Sequence, residues 1–212
     1  MKKLLALMAA ITAASAGHAL AASSVELRAK GSITPSACMP LLANGGTVDY
    51  GKISASDLKP SSNTLLPVAR LQLSVSCEAP TLVAVKSQDN RAGTSAEYDA
   101  ALPNFGLGLA PGNVKIGWYT LKMTHATADE LPALLIESMD GQTWLDAPEN
   151  TIWQPNWMRT VNGASAVAPA PRPLMSMKMD VVVASTITHR KLLPVGVEIP
   201  IDGSATLDVI YL

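Results

Sequence analysis

The sequence predicts an all-β protein built as an antiparallel β-sandwich. Apolar and polar residues alternate with a period of two in several short runs, which is typical of strands with one buried face. The 14 Gly and 15 Pro residues lie between and around these runs, as expected for turns that join many short strands. The nearest helical candidate covers 128–139, but Pro132 and the hairpin signal that follows it favour strand.

The alternation places the strands along most of the chain after residue 24. In the run 68–77, Leu71, Leu73, Val75 and Cys77 share one face. The residues Glu78-Ala79-Pro80 predict a turn after it, and the Pro-rich stretch 166–174 predicts a surface loop. The predicted strands cover 25–33, 47–53, 68–77, 81–88, 114–124, the two halves of 133–147 around the hairpin signal Asp140-Gly141, 174–187, 195–201 and 205–212.

The first 21 residues predict a secretory signal peptide. Lys2 and Lys3 precede a mostly apolar stretch over 4–16, and Ala19-Leu20-Ala21 supplies small residues for cleavage. A membrane anchor is the alternative, but the apolar run is short for a span. We therefore expect three parts: the signal at 1–21, an N-terminal extension at 22–30, and one β-sandwich domain at 31–212 of a soluble, exported protein.

Cys38 and Cys77 are the two cysteines of the chain. An exported protein meets an oxidising compartment, so an even pair predicts a disulfide. Two unpaired buried thiols are the alternative. A bond that closes a loop of about 40 residues should contribute roughly 4 kcal/mol by the chain-entropy estimate.

The composition and motifs argue against nucleic-acid binding and catalysis. The net charge is −1, so the chain has no overall basic character that would attract nucleic acid. After the signal, His125 and His189 lie in no metal or triad motif, and "GASAV" at 163–167 lacks the second Gly of a nucleophile elbow. We expect no enzymatic activity, no cofactor and no metal centre.

Two side-chain groups admit a binding interpretation beside a structural one. Met175, Met177 and Met179 share one face of a predicted strand, and thioethers can hold copper(I). Methionine is also a common core residue, and core packing is the favoured interpretation. Trp153 and Trp157 flank a Gln-Pro-Asn stretch that could contact a sugar, or they anchor a loop to the core.

Both ends of the chain after the signal carry landmarks of one family. The run "AKGSITPSAC" contains Gly31 and Cys38, "LQLSVSC" ends on Cys77, and "ATLDVIYL" alternates up to a penultimate Tyr211. With these landmarks the chain resembles the pilin subunits of chaperone–usher fimbriae. It is also similar to an uncharacterised family of fimbrial-operon proteins in Gram-negative bacteria, known as a domain of unknown function.

The resemblance implies an immunoglobulin-like sandwich that lacks its last strand. A periplasmic chaperone would fill the resulting groove, and the N-terminal segment of a neighbouring subunit would replace it at the outer-membrane usher, by donor-strand complementation on the way to the cell surface. The resemblance implies that the groove and chaperone-binding strand carries Leu207, Val209, Tyr211 and the carboxylate-bearing Leu212, and that the donor strand presents Ser23, Val25, Leu27 and Ala29.

The alternative function is a carbohydrate-binding adhesin subunit, in which Trp153 and Trp157 would contact a host glycan.

The donor segment is shorter than most pilin donors. A missing strand would expose about four or five apolar side chains at about 1.5–3 kcal/mol each. The total is comparable to the stability of a whole domain, about 5–15 kcal/mol. A lone subunit should then be marginally stable, whereas a complete sandwich would be stable alone.

Overall fold

The computed structural model describes residues 26–30, 37–97, 104–163, 168–194 and 196–212. The predicted signal peptide, together with Ser23 and Val25 of the predicted donor strand, lies outside the described residues. The chain divides into two compact units, Met1–Thr34 and Pro35–Leu212. In the first unit, residues 26–30 are exposed and have no regular secondary structure. The strand predicted at 25–33 is therefore not formed at these positions, where no described strand pairs with the backbone.

The second unit is built almost entirely from strands. Short 3₁₀ helices cover Ala43–Gly46, Ala55–Asp57 and Arg190–Leu192. Among the described residues there is no helix that is long and apolar enough to cross a membrane. The strands are β1 (Cys38–Leu42), β2 (Thr64–Leu65), β3 (Ala69–Thr81), β4 (Val83–Asp89), β5 (Phe105–Gly106), β6 (Leu109–Ala110), β7 (Val114–Lys115), β8 (Gly117–Ala128), β9 (Leu131–Pro132), β10 (Leu135–Ser138), β11 (Leu145–Asp146), β12 (Ile152–Trp153), β13 (Met158–Val161), β14 (Leu174–Ile187) and β15 (Ala205–Tyr211).

Two sheets form the sandwich that the sequence predicts. Sheet A has the order β1-β3-β14-β8-β12, with β2 on β14 and both β5 and β9 on β8. Sheet B has the order β11-β10-β13-β4-β15, and β6 and β7 form a small separate ribbon. The ladders between these strands are antiparallel. The all-β antiparallel fold class is therefore confirmed.

Several predicted strands are confirmed, including β3, β4, β14, β15 and the hairpin of β10 with β11. The predicted turn at 78–80 is wrong, because β3 continues to Thr81 and the chain then passes from sheet A to sheet B at Leu82. The strand predicted at 47–53 is also wrong. Tyr50 and Ile53 pack against the core without a ladder, and Gly51 turns the backbone with a φ of +61°.

The strand predicted at 195–201 is absent from its described part, 196–201. Gly196 has a φ of +76° there, which breaks the extended backbone conformation that a strand requires. Ile199 still packs against the core. In this segment, and in 47–53, alternating apolar residues reflect contact with the core rather than sheet pairing.

The core lies between the inner faces of the two sheets. Two of the three methionines of β14 belong to it, and the third does not. Met177 and Met179 are buried in it. Met175 is 49% exposed, because a register shift between Leu174 and Ser176 turns its side chain outward. The three methionines therefore do not share one face of the strand. The favoured interpretation, packing in the core, is confirmed for Met177 and Met179.

One ion pair is buried within sheet B. Arg159 on β13 lies opposite Glu137 on β10, and its Nε and Nη2 atoms donate to Glu137 Oε2 at 3.0 and 2.7 Å. Nη2 also donates to the carbonyl oxygens of Thr151 and Ile152 at 3.2 and 3.1 Å. Burial lowers the pKa of Arg159. The pair therefore ties the segment before β13 to the sheet at the cost of desolvating two charges.

The disulfide between Cys38 and Cys77 is present, as predicted. The two residues face each other in the ladder of β1 with β3, so the bond holds the edge strand of sheet A to its neighbour.

Replacement of both Cys38 and Cys77 by Ser should lower the free energy of unfolding by about 4 kcal/mol, because the open chain gains the entropy of a loop with a sequence separation of 39 residues. Urea unfolding of the oxidised protein and of the double variant measures this difference. The unmodified protein under reducing conditions is the control and should match the variant. An unchanged unfolding midpoint in both would contradict the prediction.

Replacement of Arg159 by Met should lower the free energy of unfolding by about 3–5 kcal/mol, because it leaves the Glu137 carboxylate buried without a partner. Replacement of both residues, Arg159 by Met and Glu137 by Leu, should recover most of this loss, because no charge then remains in the core. Urea unfolding of four proteins tests the pair: the unmodified protein, the Arg159→Met variant, the Glu137→Leu variant and the double variant. A double variant as unstable as the sum of the two single variants would show that the ion pair does not couple the residues.

Candidate functional site

The strand β15 is paired along one edge. It forms an antiparallel ladder with β4 from Ala205 opposite Asp89 to Tyr211 opposite Val83. In the part of the chain that the structure describes, no strand pairs with its other edge. The chain thus presents an edge strand of seven residues at the margin of sheet B.

The ladder determines which backbone groups of β15 face the unpaired edge. The N–H of Asn90 donates to Ser204 O at one end of the ladder, and the N–H of Leu212 donates to Leu82 O at the other, both at 3.0 Å. Hydrogen-bonded pairs of an antiparallel ladder recur every second residue, so the even-numbered residues of β15 bond to β4. The N–H and C=O groups that point to the free edge belong to Ala205, Leu207, Val209 and Tyr211.

The side chains of β15 alternate as predicted, and two of the predicted groove residues contact the core. Leu207 and Val209 are half-buried and pack against the inner faces of the sheets. Thr206 and Asp208 point to solvent. Inward residues of an inner strand would be fully buried, so half-burial of Leu207 and Val209 indicates that their outer flank is uncovered.

A groove runs beside β15 between the two sheets. It contains an open cavity of about 230 Å³, whose walls are β15 and the segment from Leu42 to Tyr50. The floor consists of side chains from sheet A, and Val183 is half-buried there although Val181 next to it on the same face is buried. The apolar lining comprises Leu42, Val48, Leu71, Leu107, Leu121, Val181, Val183, Ile201, Ala205 and Leu207.

One end of β15 is joined to sheet A. The backbone N–H of Cys38 donates to the Tyr211 hydroxyl oxygen at 2.9 Å. This contact ties the start of β1 to the end of β15, and the disulfide of Cys38 continues the connection to β3. Tyr211 is 48% exposed, so its ring lies at the margin of the core. The space between β1 and β15 is therefore closed at the Tyr211 end of β15.

The other end of the groove carries hydroxyl groups. The Tyr50 hydroxyl donates to Ser185 Oγ at 3.0 Å. Tyr119 lies opposite Ser185 in the ladder of β8 with β14, lines the same cavity, and has no hydrogen-bond partner for its hydroxyl among the described residues. Burial, with a further contribution from the Asp89 carboxylate, raises the pKa of Tyr119, so its hydroxyl stays protonated.

The opposite face of sheet B supports β15 from outside. Trp144 forms a small buried cluster with Ala84, Ile136 and Met158, and Ile210 of β15 packs against it. The loop that carries Trp144 is held by Asp140, whose Oδ1 accepts the N–H groups of Gln142 and Thr143 at 2.8 and 2.9 Å. These backbone hydrogen bonds, with Thr143 the larger contributor, lower the pKa of Asp140.

The sequence analysis did not identify this outer cluster. It also did not identify the wall from Leu42 to Tyr50 or the floor that sheet A provides for the groove. A signal for the cluster was available, because Ile210 is apolar at a position of the alternation that should face solvent. Leu212 shares the outward face of Ile210 and lies near Gly141 of the Trp144 loop. Leu212 is therefore part of the strand end but not of the inward row.

Trp153 and Trp157, the residues predicted for sugar contact, do not line the groove. Trp153 is fully buried, and its Nε1 donates to Trp157 O at 3.0 Å. The Arg159 guanidinium lies 6.0 Å from the centre of the Trp153 ring system. Trp157 is half-buried against the core. Trp153 offers no face on which a sugar could stack. Both residues pack against the core, which agrees with the structural interpretation that they anchor this segment.

The described donor residues are accessible. Leu27 is 95% exposed and Ala29 is also exposed. Arg28 and Glu26 form an exposed ion pair at 2.7 Å. An apolar side chain as exposed as Leu27 is available for burial against another surface.

Comparisons with known proteins found a family model that matches part of the chain and relatives that are similar over most of it. A family model matches residues 27–104, and its description is "Protein of unknown function (DUF1120)". The chain is also similar to Protein GltF of Escherichia coli K12, with 29% identity over 88% of each chain. The Uncharacterized protein YhcF of the same organism is 25% identical, with 92% of this chain and 93% of the relative covered. The family match covers residues 27–104 and is consistent with an uncharacterised family, whereas the two relatives are similar over 88% and 92% of the chain.

Replacement of Trp144 by Ala should lower the free energy of unfolding by about 3–5 kcal/mol, because it removes a large buried ring from the outer face of sheet B. Amide exchange at Asp208 and Ile210 should also accelerate, since their strand loses its outer support. The neighbouring exposed residue provides the control: replacement of Leu145 by Ala should change stability by less than about 0.5 kcal/mol. Equal effects of the two variants would show that Trp144 does not hold β15.

Proposed function

We propose that the protein is a structural subunit of a chaperone–usher fimbria or a related surface assembly, and that it assembles by donor-strand complementation. The observation that carries this proposal is the second edge of β15, which no described strand pairs with and which lies beside an apolar groove. The edge offers N–H and C=O groups from four residues, and the groove offers apolar side chains that an added strand would cover. Strand addition supplies both kinds of interaction at once.

The N-terminal extension suits the role of the added strand. Its eight residues from 22 to 29 reach about 27 Å when extended, and the seven residues of β15 span roughly 23 Å. Alternate residues Ser23, Val25, Leu27 and Ala29 would face the groove. The exposure of Leu27 supports this role, because an exposed apolar side chain is available for burial against another surface.

Export and partners complete the proposal. The predicted signal peptide directs the chain to the periplasm, where a chaperone strand occupies the groove before an outer-membrane usher delivers a neighbouring subunit. Long exposed strand edges promote uncontrolled association, so an edge of this kind needs a partner throughout assembly. A sugar-binding function lacks comparable support, since Trp153 is buried.

Two complementary variants test the proposal. A chain without residues 22–30 keeps the groove but has no donor. A chain with Leu207 replaced by Lys keeps the donor but carries a charge in the groove, which Leu207 lines. The mature protein, refolded from denaturant, should form oligomers that grow with concentration. Each variant alone should stay monomeric, and the two refolded together should give a 1:1 dimer that does not grow, measured by light scattering.

The matched control replaces Asp208 by Lys, which places the same charge on the outward face of β15. This variant should assemble like the unmodified protein. A mature chain that stays monomeric at all concentrations and melts cooperatively without a partner would contradict the proposal, because such behaviour describes a complete sandwich.

A further inference from the structure

The two ends of sheet A carry opposite charges. β8 runs from Gly117 at one end to Ala128 at the other, and β14 runs back beside it. The 12 residues of β8 separate the two ends by roughly 40 Å. This distance far exceeds the screening length of about 8 Å at physiological ionic strength, so each end acts electrostatically on its own surroundings.

We call the end at the turn between β8 and β9 the acidic end. Asp129 and Glu130 form this turn, and Glu78 lies nearby on β3, between the residues that pair with the start of β14. All three acidic residues are exposed. Arg172 adds a cation, whose Nη1 lies 4.0 Å from Asp129 Oδ2. The exposed apolar residues of this end are Leu131, Leu134 and Met175.

We call the opposite end of sheet A the basic end. Three segments of the chain lie side by side there. The N–H of Thr188 donates to Ile116 O at 2.9 Å, and the N–H of Arg190 donates to Lys59 O at 3.1 Å. The basic residues that these segments bring together are Lys59, Lys115, Arg190 and Lys191.

Acidic residues offset only part of this positive charge. Asp57 lies two residues before the first lysine, and Glu97 follows a backbone contact with the start of β8. On the side of sheet B, Arg91 and Asp202 form an ion pair at 2.7 Å, and the carboxylate oxygens of Asp89 accept backbone N–H groups. Among the described residues, the sheet A side of this end therefore keeps an excess of positive charge. Its exposed apolar residues are Leu65 and Leu192.

The acidic end is also where the chain enters the sandwich after the N-terminal extension. The N–H of Glu78 donates to Ala37 O at 3.3 Å. Under the proposed function, the extension lies in the groove of a neighbour. That groove is closed at its Tyr211 end, so the extension enters at the Ala205 end, where the start of β8 also lines the groove. The seven residues 30–36 span at most about 25 Å, so they hold the acidic end of one copy close to the basic end of the next.

We propose that the basic end is a docking surface for the acidic end of a second copy of this chain. This inference rests on the proposed function, which joins two copies through the extension. Opposite charges attract across the contact and like ends repel, so the charges select the head-to-tail order of the copies. The exposed apolar residues of both ends would lose contact with water there. Because the two surfaces differ, the contact leaves a free end on each side and does not close at two copies.

The two chains of the dimer test above isolate a single contact between ends. The donor chain carries Leu207→Lys and presents its acidic end, and the acceptor chain lacks residues 22–30 and presents its basic end. Replacement of Lys59 and Lys191 by Glu in the acceptor chain should weaken the dimer about three- to thirtyfold, the effect of two exposed ion pairs. The dissociation constant is measured by light scattering over a dilution series at low salt. At high salt the difference should shrink, because exposed charges are screened.

A charge swap completes the test. Replacement of Glu78 and Glu130 by Lys in the donor chain should restore most of the affinity for the acceptor chain with the two Glu replacements, since the charges are again opposite. The matched control places each pair of replacements on the other chain, where the altered end faces no partner. Lys59→Glu with Lys191→Glu in the donor chain, or Glu78→Lys with Glu130→Lys in the acceptor chain, should change the dissociation constant by less than about twofold.

Three results would overturn the inference: an unchanged dissociation constant after charge reversal in the acceptor chain, an equal effect of the control placement, or no recovery in the charge swap. The proposed function would stand in each case, since the dimer still forms. Failure of the donor and acceptor chains without charge replacements to form a dimer would instead contradict the proposed function, and the inference would fall with it.

Discussion

The one-sided pairing of β15 with β4 is the interaction on which the functional site depends. This ladder satisfies the even-numbered backbone groups of β15 and directs the odd-numbered ones to a free edge. The same alternation sends Leu207 and Val209 inward. Because backbone and side-chain directions are coupled in a strand, the free edge and the apolar groove are two aspects of one arrangement.

An edge strand of this kind needs support from elements other than a second neighbour. The Trp144 cluster supplies it on the outer face through Ile210. The hydrogen bond from Cys38 to Tyr211 supplies it at one end, and the disulfide fixes Cys38 on β3. These contacts hold β15 in place, and no described strand covers its second edge, which is the condition for a preformed groove. Preformation lowers the ordering cost when a strand binds.

The buried polar groups of the sandwich serve two different purposes. The pair of Arg159 and Glu137 is enclosed within sheet B and holds the segment before β13, so its role is internal. Tyr50, Tyr119 and Ser185 instead line the groove. Buried polar groups demand partners wherever they are. Those within the sheet find most of them in the chain itself, and in the groove the Tyr50 hydroxyl donates to Ser185 Oγ.

The period-two alternation by itself determined the fold class and the face assignment of β3, β14 and β15, because a strand with one buried face must alternate. The expectation of export, with an even cysteine count, predicted the pairing of Cys38 with Cys77, and the disulfide is present. The same alternation failed at 47–53, where Tyr50 and Ile53 contact the core without sheet pairing, and at Met175, which a register shift turns outward. Hydrogen bonding between distant strands decides such cases, and no local pattern encodes it. The groove walls and the Trp144 cluster likewise exist only in the tertiary structure, because each joins residues that are far apart in the chain and become neighbours when the protein folds.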